Sequence, residues 1–489
     1  MSLSRSFMLH PLTLALCLAT PVFAQSDTQL EQIRVLKTVK VEADAEAAGG
    51  PVDGYHAKRS ATGTKTDTPL LETPVSVQVI SRELMDDQQV LTISDAIKNV
   101  SGVYTRQGPD GSTMDSFNIR GFQVHSYGGS YMDGVKDFSR APKETAGLER
   151  VEVLKGPSAI MYGRIEPGGM INRVSKKPQA ETFTKLQQQI GSENYFRTTL
   201  DTNGTFAADQ TLLYRVNLAV EDSDGIKDDT ENKRLYIAPQ IEWHATEKTS
   251  VRTGVEYQEN DRSWALTYGT IGNANGPVDV PISTNLHDKD DNYQDNSTSW
   301  FLTWNHEFNE NWNLQQRITY VDRSSVAQGS LLSAADLAGN YTRTYWGWDD
   351  EEAQIASTNL DLTGKFSTGA IDHTLLVGID YFDEDYDSGG WASGGTAQAS
   401  NVFNPNNNDA PYDLNHPSSK YWYTNKNTGA YVQDQMAMLD DRLHMMVGLR
   451  YDDADYYNFF GTSGLGTRDK QTTWRGGTLY KVIPTPPIY

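Results

Sequence analysis

Beyond Pro178 this 489-residue chain carries stretches of about ten residues in which apolar and polar side chains strictly alternate. Leu212, Tyr214, Val216, Leu218 and Val220 share one face, with Arg215 and Asn217 opposite. Val251, Thr253, Val255 and Tyr257 oppose Arg252 and Glu256. The pattern recurs with Leu375, Val377, Ile379 and Tyr381 against Thr374 and Asp380, and with Met445, Val447, Leu449 and Tyr451 against His444 and Arg450. A period of two predicts strands. Strands of this length, apolar on one face only, suit a membrane barrel with a wet lumen. A soluble β-sandwich is the rival, and it calls for shorter strands with turns every 8 to 12 residues or so.

The connections favour the barrel. Tight links such as Ala245-Thr246-Glu247-Lys248 and Asn309-Glu310-Asn311 alternate with long polar segments near 259–297, 323–352, 383–427 and 453–471, which read as loops. Short turns on one side and long loops on the other are the outer-membrane arrangement. Trp243, Trp304, Phe308, Trp312 and Tyr320 flank strand ends, where an aromatic girdle belongs. The count comes to about twelve strands.

The beginning of the chain agrees with export. Arg5 and His10 precede an apolar run, Leu12 to Ala19, and Val22-Phe23-Ala24 has the spacing of a signal-peptidase site, so residues 1–24 read as a leader. No later run approaches the roughly 18 apolar residues of a membrane helix. Cys17 is the one cysteine and falls within the leader, which excludes disulfide frameworks and Cys-ligated metals from the mature chain. The formal charge of −22 argues against nucleic acid as a partner.

Residues 25–55 are polar, Ala/Gly/Glu-rich and aperiodic, a flexible segment. Within them Thr38-Val39-Lys40-Val41 is one short extended stretch. It reads either as a chance β-like tetrapeptide or as a strand offered edge-on to a partner. Residues 56–178 are different in kind. Val75, Val77 and Val79 alternate with polar residues, Ser81 opens a helical stretch, and Thr92 with Asp95 makes a capping-box start for another that stops at Asn99-Val100-Ser101-Gly102. Glycine-rich turns and short strands follow, giving a compact mixed α+β domain.

Those segments, in that order, resemble the TonB-dependent siderophore receptors. The resemblance rests on TGTKTDTPLLETPVSVQVIS, DAIKNVSGV, FNIRGF, YMDGV, LERVEVLKGPSAIMYG and EPGGMINRVSKKP before Pro178. It continues with GAYVQDQMAMLDDRLHMMVGLRYD and TWRGGTLYK after it. It implies a transmembrane antiparallel β-barrel, 22-stranded in the family, in a Gram-negative outer membrane, with the N-terminal mixed α+β domain as a plug inside it. It also implies energy-coupled import of a ferric siderophore, with TonB and its inner-membrane energising complex, outer-membrane lipid and the barrel insertion machinery as partners. Thr38, Val39, Lys40 and Val41 then match the TonB box. Arg106 matches a ligand-contacting arginine, with Gln123, His125, Tyr127 and Phe138 on neighbouring apical stretches. Arg120 and Arg150 match a lock between plug and barrel glutamates. Trp346, Trp348, Trp391 and Tyr423 are expected as loop aromatics over the vestibule.

No catalytic constellation competes with this reading: the nine histidines are scattered, with no HExxH and no pair at ligand spacing, and there is no G-x-S-x-G elbow. The glycines of KGPSAIMYG and EPGGM lack the Gly-Lys-Ser/Thr ending of a phosphate loop and read as tight turns where plug backbone nears the wall. No cofactor is expected, because the chelator itself wraps its iron. Other cargoes of the same machinery (cobalamin, haem, an oligosaccharide) stay open, as does a passive porin, though a porin has no use for a plug. Twelve strands tilted by about 40° would close at a diameter of roughly 24 Å, and twenty-two at roughly 44 Å. A plug of about 115 residues is roughly 33 Å across and fits only the larger. The partial barrel is therefore read as residues 179–481. Val482 to Tyr489, with three prolines, is read as an aberrant tail left by truncation.

Overall fold

The computed structural model describes residues 46–105, 115–124, 129–137, 142–157, 159–264, 270–389, 391–407 and 420–482. The leader, Thr38 to Val41, Arg106, His125, Tyr127 and Phe138, and the tail from 483 lie outside the described residues.

The first domain opens with a two-strand ladder, β1 (Arg59–Ser60) on β2 (Thr68–Pro69). Its centre is a five-stranded sheet ordered β3-β9-β10-β7-β8. These strands are β3 (Ser76–Ser81), β7 (Ser130–Met132), β8 (Val135–Lys136), β9 (Leu148–Lys155) and β10 (Gly169–Ser175). A smaller sheet is formed by β4 (Val103–Thr105), β5 (Phe117–Ile119) and β6 (Phe122–Val124). Helix α1 (Arg82–Asp87) starts where the Ser81 hydroxyl accepts from the Leu84 amide, and α2 (Ile93–Ala96) starts at the full Thr92/Asp95 capping box. A third short helix, α3 (Ala159–Tyr162), follows β9.

Alternation in β9 decides how this domain packs. Val151 and Val153 point to one side and join Ile80, Met85, Ile93, Ile97 and Ile119 in a dry core. Arg150 and Glu152 point to the other side and are equally buried. Buried charges have to be paired, and here Arg150 meets Glu152 at 2.9 Å and Glu46 at 3.6 Å.

The second domain is one long antiparallel sheet. Twelve strands pair in chain order: β11 (Phe183–Ile190), β12 (Phe196–Thr205), β13 (Leu212–Asp224), β14 (Glu231–Thr246), β15 (Thr249–Ser263), β18 (Asn292–Asn309), β19 (Trp312–Leu332), β20 (Asn340–Thr368), β21 (Ile371–Asp387), β23 (Tyr421–Met438), β24 (Leu443–Phe460) and β25 (Ser463–Tyr480). Off this path β22 (Trp391–Asn401) pairs the outer end of β20, and β16 (Gly272–Asn273) with β17 (Gly276–Pro277) forms a small hairpin. Among the described residues no helix is long and apolar enough to cross a membrane.

Inward and outward faces follow the sequence alternation. Arg215, Asn217, Arg252 and Arg450 are buried toward the plug, whereas Val220, Val255, Val377, Ile379, Val447 and Leu449 are exposed on the outer face. Trp243 and Phe308 are exposed outward near the short turns, and Trp300 and Tyr320 are exposed partners in register further along β18 and β19. From Trp312 to Tyr320 is eight residues, about 20 Å of height at a tilt near 40°. That is close to the apolar band of an outer membrane, about 25 Å tall.

The sequence reading needs correcting at the far end of the strands. The segments 323–352 and 453–471 are largely strand, not loop: β19 stays paired with β20, across one register shift between Ser325 and Ala327, out to Leu332 opposite Arg343, and β24 turns into β25 between Phe460 and Ser463. Beyond the membrane both faces of a strand are polar, so hydropathy stops alternating although pairing continues. Trp346, Trp348 and Tyr423 accordingly lie in strands. Trp348 is buried, with its indole N–H donating to Ser325 Oγ at 2.9 Å, and Trp346 packs on Trp264 at 5.5 Å. Tyr423 is buried and donates to Glu384 at 2.7 Å. Trp391 opens β22, in register with Trp348.

Candidate functional site: the interface between plug and barrel

Side chains from β12 through β25 reach the first domain, so the sheet wraps around it. The strongest contact is a plug carboxylate held by barrel arginines. Glu144, fully buried, accepts two hydrogen bonds from Arg197 of β12 at 2.6 and 3.0 Å and one from Arg234 of β14 at 3.3 Å. Burial alone would raise the carboxyl's pKa, but the two guanidinium charges and their hydrogen bonds outweigh it and hold Glu144 at about 2. Its own backbone amide donates to Gln258 of β15.

The same arrangement recurs at Asp133, which pairs with Arg252 of β15 at 3.0 Å. Burial opposes ionisation there too, and Arg252, Lys177 and hydrogen bonds from Ser175 overcome it, leaving Asp133 at about 2. The sign is reversed at Lys176, whose ammonium lies 2.8 Å from Asp201 of β12. Lys65 lies 3.9 Å from Asp380 of β21 and donates to the Tyr431 hydroxyl of β23 at 2.7 Å.

A second line of contacts runs along residues 60–69. Gln433 donates to the Thr64 carbonyl at 2.9 Å, Gln435 to Thr66 Oγ1 at 2.6 Å, and Arg475 to the Gly63 carbonyl at 3.2 Å. On the plug side, Ser60 and Thr62 donate to Glu152, and Tyr162 donates to the Thr62 carbonyl at 2.9 Å. The first segment of the plug is thus stitched to both the wall and the central strand. Glycine is required where backbones close up: a Cβ on Gly163 (φ +78°) would lie 2.9 Å from Arg450 Nη2, and one on Gly147 would meet the Tyr236 hydroxyl.

Against this map the residues singled out from sequence fall as follows. Gln123 is half-buried in β6, paired in register with Asn118. Arg120 turns that hairpin at φ +52° and its guanidinium lies over the Gly156 turn of the plug. Arg150 is spent inside the plug on Glu152 and Glu46. The lock expected from Arg120 and Arg150 onto barrel glutamates is therefore not among the described contacts. The arginines of the wall pair with Glu144 and Asp133 of the plug, and Lys65 and Lys176 of the plug pair with aspartates of the wall. The inward arginines were visible in the alternation; their partners were not, since nothing in sequence links Glu144 to strands 53 and 90 residues away.

Comparison with known proteins decides the family. Residues 69–170 match the family model TonB-dependent Receptor Plug Domain, and residues 242–488 match TonB dependent receptor-like, beta-barrel. The chain belongs to the TonB-dependent receptors. It is 30% identical over 494 residues to the ferrichrome outer membrane transporter/phage receptor of Escherichia coli K12, covering 94% of this chain and 66% of that one. It is 36% identical over 366 residues to the metal-pseudopaline receptor CntO of Pseudomonas aeruginosa, covering 75% of this chain and 51% of the relative. The chain thus spans between about half and two thirds of the length of these relatives. Among solved structures, the closed form of the ferric-catecholate import receptor Fiu from E. coli K12 superposes with a TM-score of 0.77 at 21% identity, over 88% of this chain and 66% of that one. The FpvAI–pyocin S2 complex gives 0.78 at 21% identity, over 92% and 61%. TonB-dependent receptors are outer-membrane proteins of Gram-negative bacteria, and the aromatic belts and apolar outer face of this sheet suit that membrane.

Proposed function

We propose that this receptor binds a ferric siderophore at the outer face and imports it by energy-coupled transport, with TonB as the partner that supplies work from the inner membrane. The observation that carries the reading is the plug itself, seated in the sheet and fastened by the buried Glu144–Arg197 pair and by the Asp133–Arg252 pair. A passive pore has no use for such an obstruction. A machine that must admit one scarce cargo against its gradient does. Thr38 to Val41 is the segment we assign to TonB, pairing edge to edge with a strand of the partner. Arg106, Gln123, His125, Tyr127 and Phe138 are the plug residues we assign to the chelate. Catalysis has no part in this scheme.

The likeness to both a ferrichrome transporter and a metal-pseudopaline receptor supports a metal chelate as cargo. The second of these favours one alternative: a metallophore whose metal need not be iron. Growth of a receptor-deletion strain complemented with this gene, fed purified chelates one at a time under limitation of iron and, separately, of zinc, nickel or cobalt, separates the readings. Rescue by one siderophore supports iron import. Rescue only when a metallophore carries zinc, nickel or cobalt moves the assignment to the second reading, and no rescue by any chelate removes both.

A further inference from the structure

Two cavities lie between plug and wall, and three plug residues border both. One, of about 500 Å³, is bounded by Lys136, Arg164 and Glu166 of the plug and by Asn359, Phe382 and Tyr456 of the barrel. The other, of about 490 Å³, is bounded by Ala47, Asp67 and Lys177 of the plug and by Ser250, Asn305 and Asn313 of the barrel. Ser250, Asn305 and Asn313 lie within a few residues of the short turns, hence toward the periplasm; Tyr456 and Phe382 lie in the outward halves of their strands. Lys65, Gly134 and Tyr162 border both cavities. Each volume is within the range that holds a small-molecule ligand, about 300–1,000 Å³.

We propose that the two cavities are successive chambers of one transit route along the wall, and that Lys65 is the partition between them. The inference rests on the import reading and deepens it. Lys65 stands at φ +58° in the turn that follows β1, and its side chain is 5% exposed. Its ammonium is held from the barrel side by the Tyr431 hydroxyl, by the Tyr431 ring at 4.2 Å and by Asp380. The Tyr162 ring closes the plug side, 5.1 Å from the same ammonium. The turn carrying Lys65 is part of the stitched segment 60–69, the first part of the plug that tension arriving through residues 46–59 would reach. Pulling on it withdraws the partition and joins the chambers. The outer chamber suits an oxygen-rich, anionic metal chelate: Lys136 and Arg164 offer positive charge there, and Phe382 and Tyr456 offer flat apolar surface.

The test is ionic conductance of the purified receptor in a planar bilayer, with surface binding and uptake of radiolabelled ferric chelate measured in cells. Lys65→Ala is expected to conduct without TonB, while Lys65→Arg stays closed. Tyr431→Phe, which keeps the ring but removes the hydroxyl to which the ammonium donates, raises the open fraction roughly tenfold or more and carries the test if Lys65→Ala fails to assemble. Variants as silent as the parent, with unchanged uptake, overturn the partition. A parent that neither binds nor imports any chelate refutes the import reading instead, and the conductance result still decides whether Lys65 separates the chambers.

Discussion

Glu144 and Arg197 meet in a bidentate pair at 2.6 and 3.0 Å, both buried, one from the plug and one from the wall. With Arg234 on the same carboxylate, two positive charges converge on one negative one, and Glu221 completes the balance at 2.8 Å from Arg197. Removing one member of such a buried set costs more than the set itself contributes, because the partners are left charged and dry.

Glu144→Ala should therefore loosen the plug by about 3–5 kcal/mol. Hydrogen exchange of β9 and β10 amides in detergent reports it directly. Protection equal to the parent's would show that the plug is held elsewhere.

The same pair sets a pH dependence. Glu144 is held at about 2 in place, against an ordinary value of 4.5. A carboxyl lowered on docking contributes stability above its free value and loses it as pH falls through the docked one. Plug seating is expected to be level from neutral pH to about 5 and to weaken progressively from 4.5 toward 2, with Asp133, held at about 2, adding to the loss. Glu144→Gln should flatten that slope in proteolysis of the plug against pH. A parent profile without any slope in that window contradicts the assignment.

The outer face makes a different prediction. Ile379 is 56% exposed, yet its chain neighbour Asp380 pairs with Arg450 at 2.6 Å on the lumen side. Ile379→Arg puts a charge into hydrocarbon and should destabilise the folded barrel by about 2–4 kcal/mol if it lies near the midplane. Urea unfolding from lipid vesicles measures the cost, and a change within about 0.5 kcal/mol of zero would place Ile379 in water.

Much of this architecture was legible in the residues because the membrane forces a two-residue period on any strand that crosses it. Val377 and Ile379 outward against Asp380 inward is a statement about lipid and water before it is one about fold. Trp348 and Tyr423 escaped that logic: their strands run on past the bilayer, where nothing compels one face to be apolar. The candidate site was less legible still. The ion pair between Arg150 and Glu152, two residues apart on the same face of β9, likewise had no mark in sequence that set it apart from a solvated plug surface. The partner of Glu144 could come only from the tertiary arrangement. Lys65, inside the TGTKTDTP run, carried no sign in sequence of its place between two chambers.

In the proposed function a plug clamped in a membrane barrel is worked from below through a short extended segment. Deletion of residues 36 to 42, with uptake and surface binding of radiolabelled ferric siderophore measured on the same cells, tests it most directly. Binding should persist at the parent's affinity while energised uptake falls to background. Uptake at the parent's rate after the deletion would contradict the account.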